Sequence, residues 1–96
     1  MTEKLYYKDS FLRNFKADIV SYKEEKGEYH LVLNKTAFYP EGGGQPADKG
    51  SVASSKVKYV YEEKGEVYHI VDKLPEEKNN LDCKIDWQRR FDLMQQ

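Results

Sequence analysis

Glu24-Glu25-Lys26-Gly27-Glu28-Tyr29-His30-Leu31-Val32-Leu33-Asn34 holds a turn and the strand that leaves it. Lys26-Gly27 is a hairpin turn signal. From Tyr29 onward Tyr29, Leu31 and Leu33 share one face, opposite His30, Val32 and Asn34. Upstream, Lys16–Tyr22 is another β-rich run, so a hairpin is expected about residue 26. The string Glu-Glu-Lys-Gly-Glu returns at residues 62–66, between β-rich runs at Lys56–Tyr61 and Val67–Asp72. Two copies are too few for a repeat array, and they read as two hairpins of one small sheet or barrel. Leu5–Asp9, Ser51–Ala53 and Leu81–Ile85 read as three further short strands. The expected fold is therefore mostly β and antiparallel.

After Ile85 the period changes. Asp86 can cap a helix with its carboxylate, and Trp87, Phe91 and Met94 fall on one helical stripe. The stripe runs to Gln96 with no Gly, Pro or polar closing turn after it, which reads as a chain cut inside an element.

Ninety-six residues suffice for one small core of thin stability. With 39% hydrophobic and 34% charged residues the composition is that of a folded domain. A single Cys excludes an internal disulfide, and neither a leader nor a long apolar run is present, so a cytoplasmic location away from membranes is expected. Up to Asp48 the chain carries 7 basic and 8 acidic residues, and after it 9 of each, for a net charge of −1. Neither half is basic, so strong unaided binding to a nucleic-acid backbone is not expected.

Between the two hairpins lies Thr36-Ala37-Phe38-Tyr39-Pro40-Glu41-Gly42-Gly43-Gly44-Gln45-Pro46-Ala47-Asp48. Three glycines free the backbone for positive φ and for close approach by another molecule. Gln45 adds an acceptor and two donors on a short arm. The segment Gly42–Ala47 meets the spacing of a dinucleotide loop, but Pro46 and Gly50 break the helix that such a loop must open. A phosphate-binding P-loop also fails, since Lys49 precedes Gly50 instead of following a glycine. For three glycines in isolation, a wide turn would suffice.

The full string resembles the glycine-rich motif of the alanyl-tRNA synthetase editing domain and of the free-standing alanyl-tRNA editing (AlaX-type) proteins. Thr36-x-Phe38-Tyr39-Pro40-Glu41-Gly42-Gly43-Gly44-Gln45-x-x-Asp48-x-Gly50 matches throughout, and Asp86-Trp87-x-Arg89-Arg90-x-x-x-Met94-Gln95 resembles the helix start that carries the family's first zinc-ligand pair. The resemblance implies a small antiparallel, translation-protein-like β-barrel over residues 1–85, and over 86–96 a helix stub leading to a zinc-binding catalytic domain. It implies an intact protein that hydrolyses Ser or Gly wrongly attached to alanine tRNA, with zinc held by a His-x-x-x-His and a Cys-x-x-x-His pair. Neither pair occurs in these residues. No metal ligand and no catalytic residue is therefore assigned here, and the fragment alone is expected to be inactive.

By the same resemblance Thr36 and Gln45 face the aminoacyl group, and Gly42, Gly43 and Gly44 complete the substrate-binding set. Polar side chains there suit a hydroxyl, because a site built to hydrogen-bond a group discriminates well against its absence. Arg89 and Arg90 are candidate contacts to tRNA, with a solvated helix face paired to Asp86 and Asp92 as the alternative. Glu41 reads as structural, and Trp87, Phe91 and Met94 as a seam that can support self-association. His30 and His69 read as half-exposed strand residues, and Cys83 as a buried or half-buried thiol, since their spacing fits no compact ligand set. Two other parents compete with the trans-editing hydrolase: an ATP-dependent alanyl-tRNA synthetase, and a non-enzymatic β-barrel that binds RNA or protein.

Overall fold

The computed structural model describes residues 2–9 and 11–87. Among the described residues nine strands follow in order: β1 (Glu3–Lys4), β2 (Asn14–Ala17), β3 (Ile19–Glu25), β4 (Glu28–Leu33), β5 (Lys35–Thr36), β6 (Gly50–Val52), β7 (Ser55–Glu63), β8 (Glu66–Val71) and β9 (Leu81–Ile85). Seven of them form one antiparallel sheet in the order β2-β9-β6-β7-β8-β4-β3, while β1 and β5 pair in parallel beside it.

Both repeated strings make the same turn. Lys26 and Gly27 have φ of 54° and 79°, and Lys64 and Gly65 have 52° and 82°. Each pair fills a two-residue loop, between β3 and β4 and between β7 and β8. Positive φ at both central residues is the type I′ requirement, whose twist matches that of the flanking strands.

The core comes from the inward side chains of these strands. β9 alternates strictly, burying Leu81, Cys83 and Ile85, and β8 buries Val67, His69 and Val71. In β7 the buried positions are Ser55, Val57 and then Val60. This change of parity follows from a register shift between Val57 and Tyr59, where one extra residue turns the strand over. Each fully buried Val or Leu contributes about 1.5–3 kcal/mol. β4 is covered on both faces from His30 to Leu33. Leu31 and Leu33 enter the core, His30 Nδ1 lies 2.7 Å from the Tyr61 hydroxyl, and the Thr2 hydroxyl donates to the Leu33 carbonyl at 2.6 Å.

Three expectations are corrected. The expected barrel is not closed, because β2 and β3 are the two outer strands of the sheet and no ladder joins them. They instead continue end to end through Asp18, so the run expected as one strand over Lys16–Tyr22 is broken there. Asp18 is held by its surroundings: its N–H donates to Asn34 Oδ1 at 2.8 Å, its carbonyl accepts from Asn34 N–H, and its carboxylate accepts from Asn80 N–H at 2.6 Å. The opening strand expected over Leu5–Asp9 is a 3₁₀ turn, Leu5–Tyr7, because the N–H groups of Lys8 and Asp9 both return to the Leu5 carbonyl. Of the helix expected over 86–96, only Asp86 and Trp87 are among the described residues, and no helix stub is shown. Trp87 packs against Phe11, at 5.7 Å between ring centres, and under the Arg13 guanidinium at 5.0 Å. Among the described residues no helix is long and apolar enough to cross a membrane.

Candidate functional site

The glycine-rich segment leaves β5 and returns at β6, and it is fastened at three levels. At its base, Tyr39 and Asp48 face each other. The Tyr39 N–H donates to Asp48 Oδ2 at 2.8 Å, and the Asp48 N–H donates to the Tyr39 carbonyl at 3.0 Å. Midway, the Glu41 N–H donates to the Val60 carbonyl of β7 at 2.9 Å. At the tip, Gly42 and Gln45 exchange both backbone hydrogen bonds, at 3.1 and 2.8 Å.

Gly43 and Gly44 lie between that pair with φ of 56° and 83°. The tip is thus a third two-residue turn of the I′ kind, and it needs a positive φ twice in succession. A Cβ on Gly42, Gly43 or Gly44 would meet nothing within 4 Å, so these glycines answer to backbone conformation and leave open space above them. Gly42, Gly43, Gly44 and Gln45 are all exposed. Gly50, where the segment rejoins the sheet, differs in kind: a Cβ there would overlap the Lys84 carbonyl of β9.

Thr36, unlike the exposed tip, is a core residue. Its side chain is fully buried, and its oxygen sits 2.7 Å from His69 Nε2 while accepting the Phe38 N–H at 3.1 Å. His69 Nδ1 is 2.9 Å from the Leu31 carbonyl. A carbonyl only accepts, so Nδ1 carries a proton. Complete burial drives charge off the ring and lowers its pKa to about 4, which leaves Nε2 bare and makes the Thr36 hydroxyl the donor. The Phe38 ring stacks edgewise on His69 at 5.5 Å and meets Phe15 at 5.7 Å. The structure therefore holds Gly42–Gln45 on the surface and buries Thr36.

The expectation of a half-exposed His69 is corrected: Val67, His69 and Val71 share one inward face. His30 is also buried, beside Tyr61. The alternation Val67-Tyr68-His69-Ile70-Val71 carried that signal, since both same-face neighbours of His69 are aliphatic. Cys83 is buried, and burial pushes its thiol up to about 12. Among the described residues no group of three or more His, Cys, Asp or Glu could hold a metal ion, so these residues do not fit the zinc site implied by the resemblance. Arg89 and Arg90 lie outside the described residues.

A family model for class II (A) tRNA synthetases matches residues 2–89. The chain belongs to that family. Its relatives include the alanyl-tRNA editing protein AlaX-L of Pyrococcus horikoshii, 39% identical over 99% of this chain and 25% of that protein. The AlaX-M editing protein of the same organism is 40% identical over 98% of this chain and 43% of its own length. The alanine–tRNA ligase of Sulfurisphaera tokodaii is 43% identical over 97% of this chain and 11% of the ligase. The chain thus spans less than half the length of these editing proteins and about a tenth of the ligase.

Proposed function

We propose that this chain forms the glycine-rich wall of an alanyl-tRNA editing site, in a protein that hydrolyses Ser or Gly misattached to alanine tRNA. The observation that carries the reading is the anchored tip: Gly42–Gln45 holds a fixed I′ turn, free of side chains except Gln45, on a loop tied to the sheet at Glu41 and clasped at its base between Tyr39 and Asp48. Such a surface can bring backbone amides and one carboxamide close to a small polar group. Preset geometry lowers the entropic cost of reading it. The names of the editing-protein relatives support this reading. Gln45 contacts the aminoacyl group directly, and Thr36, buried against His69, acts on it through the start of the loop at Phe38. Arg89 and Arg90 are proposed phosphate contacts by family resemblance. The zinc of the family would be held outside the described residues.

Deacylation by the intact protein tests the proposal. Gln45→Ala is expected to lower the preference for Ser-tRNA over Ala-tRNA roughly tenfold, the effect of one hydrogen bond. Unchanged discrimination in that variant, with activity retained, would overturn the role of the loop. The ligase relatives favour a second reading, in which this segment belongs to an alanine–tRNA ligase. ATP-dependent alanylation by the intact protein would establish it.

A further inference from the structure

His69 is the only non-aliphatic residue on the inward face of β8, between Val67 and Val71, and a leucine or phenylalanine could fill that space without a polar group to satisfy. The chain instead buries a complete polar relay. It starts at the Leu31 carbonyl of β4, passes through the imidazole of β8 and the Thr36 hydroxyl of β5, and ends at the Phe38 N–H, where the glycine-rich segment begins. A buried polar network tolerates few geometries, because each lost partner leaves a group desolvated and unpaired.

We infer that His69 is a positioning residue: acting through Thr36, it fixes the direction in which the glycine-rich loop leaves the sheet. The inference rests on the reading that this loop faces the aminoacyl group. The Leu31 carbonyl sets the tautomer, the tautomer makes Nε2 an acceptor, and the acceptor claims the Thr36 proton. Thr36 oxygen is then turned toward Phe38 with its proton already committed. A ligand group that reaches it finds a lone pair and nothing to accept from, so only a donor, such as a hydroxyl or an ammonium, is welcomed there.

Ring ¹⁵N shifts of His69 at neutral pH test the first link in the unaltered chain. A protonated Nδ1 with a bare Nε2 is expected, and the opposite tautomer or a cation overturns the inference. Two substitutions then test the coupling. The carboxamide of His69→Gln reaches the place of Nε2, whereas that of His69→Asn reaches only the place of Nδ1. Amide exchange at Phe38, Gly42 and Gln45 is expected to quicken about tenfold in His69→Asn, as for one lost hydrogen bond, and to be largely restored in His69→Gln. In a Thr36→Val background, His69→Asn should add almost nothing. Equal effects of the two substitutions, or an undiminished effect without the Thr36 hydroxyl, would mark His69 as core filling and sink the proposal. Binding of a non-hydrolysable seryl-amide of adenosine, followed at the Gly42–Gln45 amides, separates the two readings. If it fails while the exchange pattern holds, the functional reading falls and the positioning role stands.

Discussion

When His69 leaves the core on unfolding, its imidazole returns to water and to its ordinary affinity for protons near 6.5, whereas burial in the fold holds it at about 4. Between those values the unfolded chain binds a proton that the folded chain does not. Stability is therefore fully present above about pH 6.5 and falls as the pH drops toward 4. The loss between pH 7 and pH 5 is about 2 kcal/mol, from 1.36 kcal/mol for each unit below the unfolded value. Urea midpoints at the two pH values measure it, and His69→Gln should abolish most of the difference; an equal difference in that variant would place the cause elsewhere. The surface pairs Lys8–Glu3 and Lys23–Glu25 lower the pKa of their carboxylates, so they lose their contribution below this window. The conformation of the glycine tip was legible in the sequence because its cause is local: positive φ and a bare tip are properties of adjacent residues. Sequence reading missed the Thr36–His69 contact because the partners lie 33 positions apart and meet only when β8 pairs with β4.

At the scale of elements, the hairpins were legible and the short parallel pair was not. Lys26-Gly27 and Lys64-Gly65 announce their turns in two residues, whereas β1 and β5 have two residues each, too few to show any period. Ala in place of Gly27 or Gly65 must hold φ near 80°, and each change should cost about 1 kcal/mol in chemical denaturation. Because the same string makes both turns, a difference between the two costs would measure sheet context and not the turn itself. Gly50→Ala belongs to another class. Its Cβ would meet the Lys84 carbonyl and force β6 off β9, so a loss of about 3 kcal/mol or more is expected. A loss near 1 kcal/mol would mean that the two strands can part without consequence for the core.

For the whole molecule, a net charge of −1 with no basic half limits what this chain can do to RNA unaided. Its dissociation constant for tRNA at physiological salt should be no tighter than about 10⁻⁴ M, the weak end of non-specific binding. A micromolar value in a filter or anisotropy assay would show a phosphate-binding surface that the charge pattern does not suggest. The sheet itself was legible as strands, but its open edges were not. Nothing in Lys16–Tyr22 marks Asp18 as the place where the chain crosses from one edge strand to the other, since that role comes from Asn34 and Asn80, distant in sequence.

That crossing has a mechanical side. In an ordinary open sheet the two outer strands can peel away independently, but here β2 and β3 are consecutive lengths of the same cord, knotted to the body at one aspartate. Tension on either margin is handed directly to the other. Exchange of β2 and β3 amides should accordingly proceed in step, and two glycines inserted after Asp18 should give the cord slack and let each margin fray at its own rate.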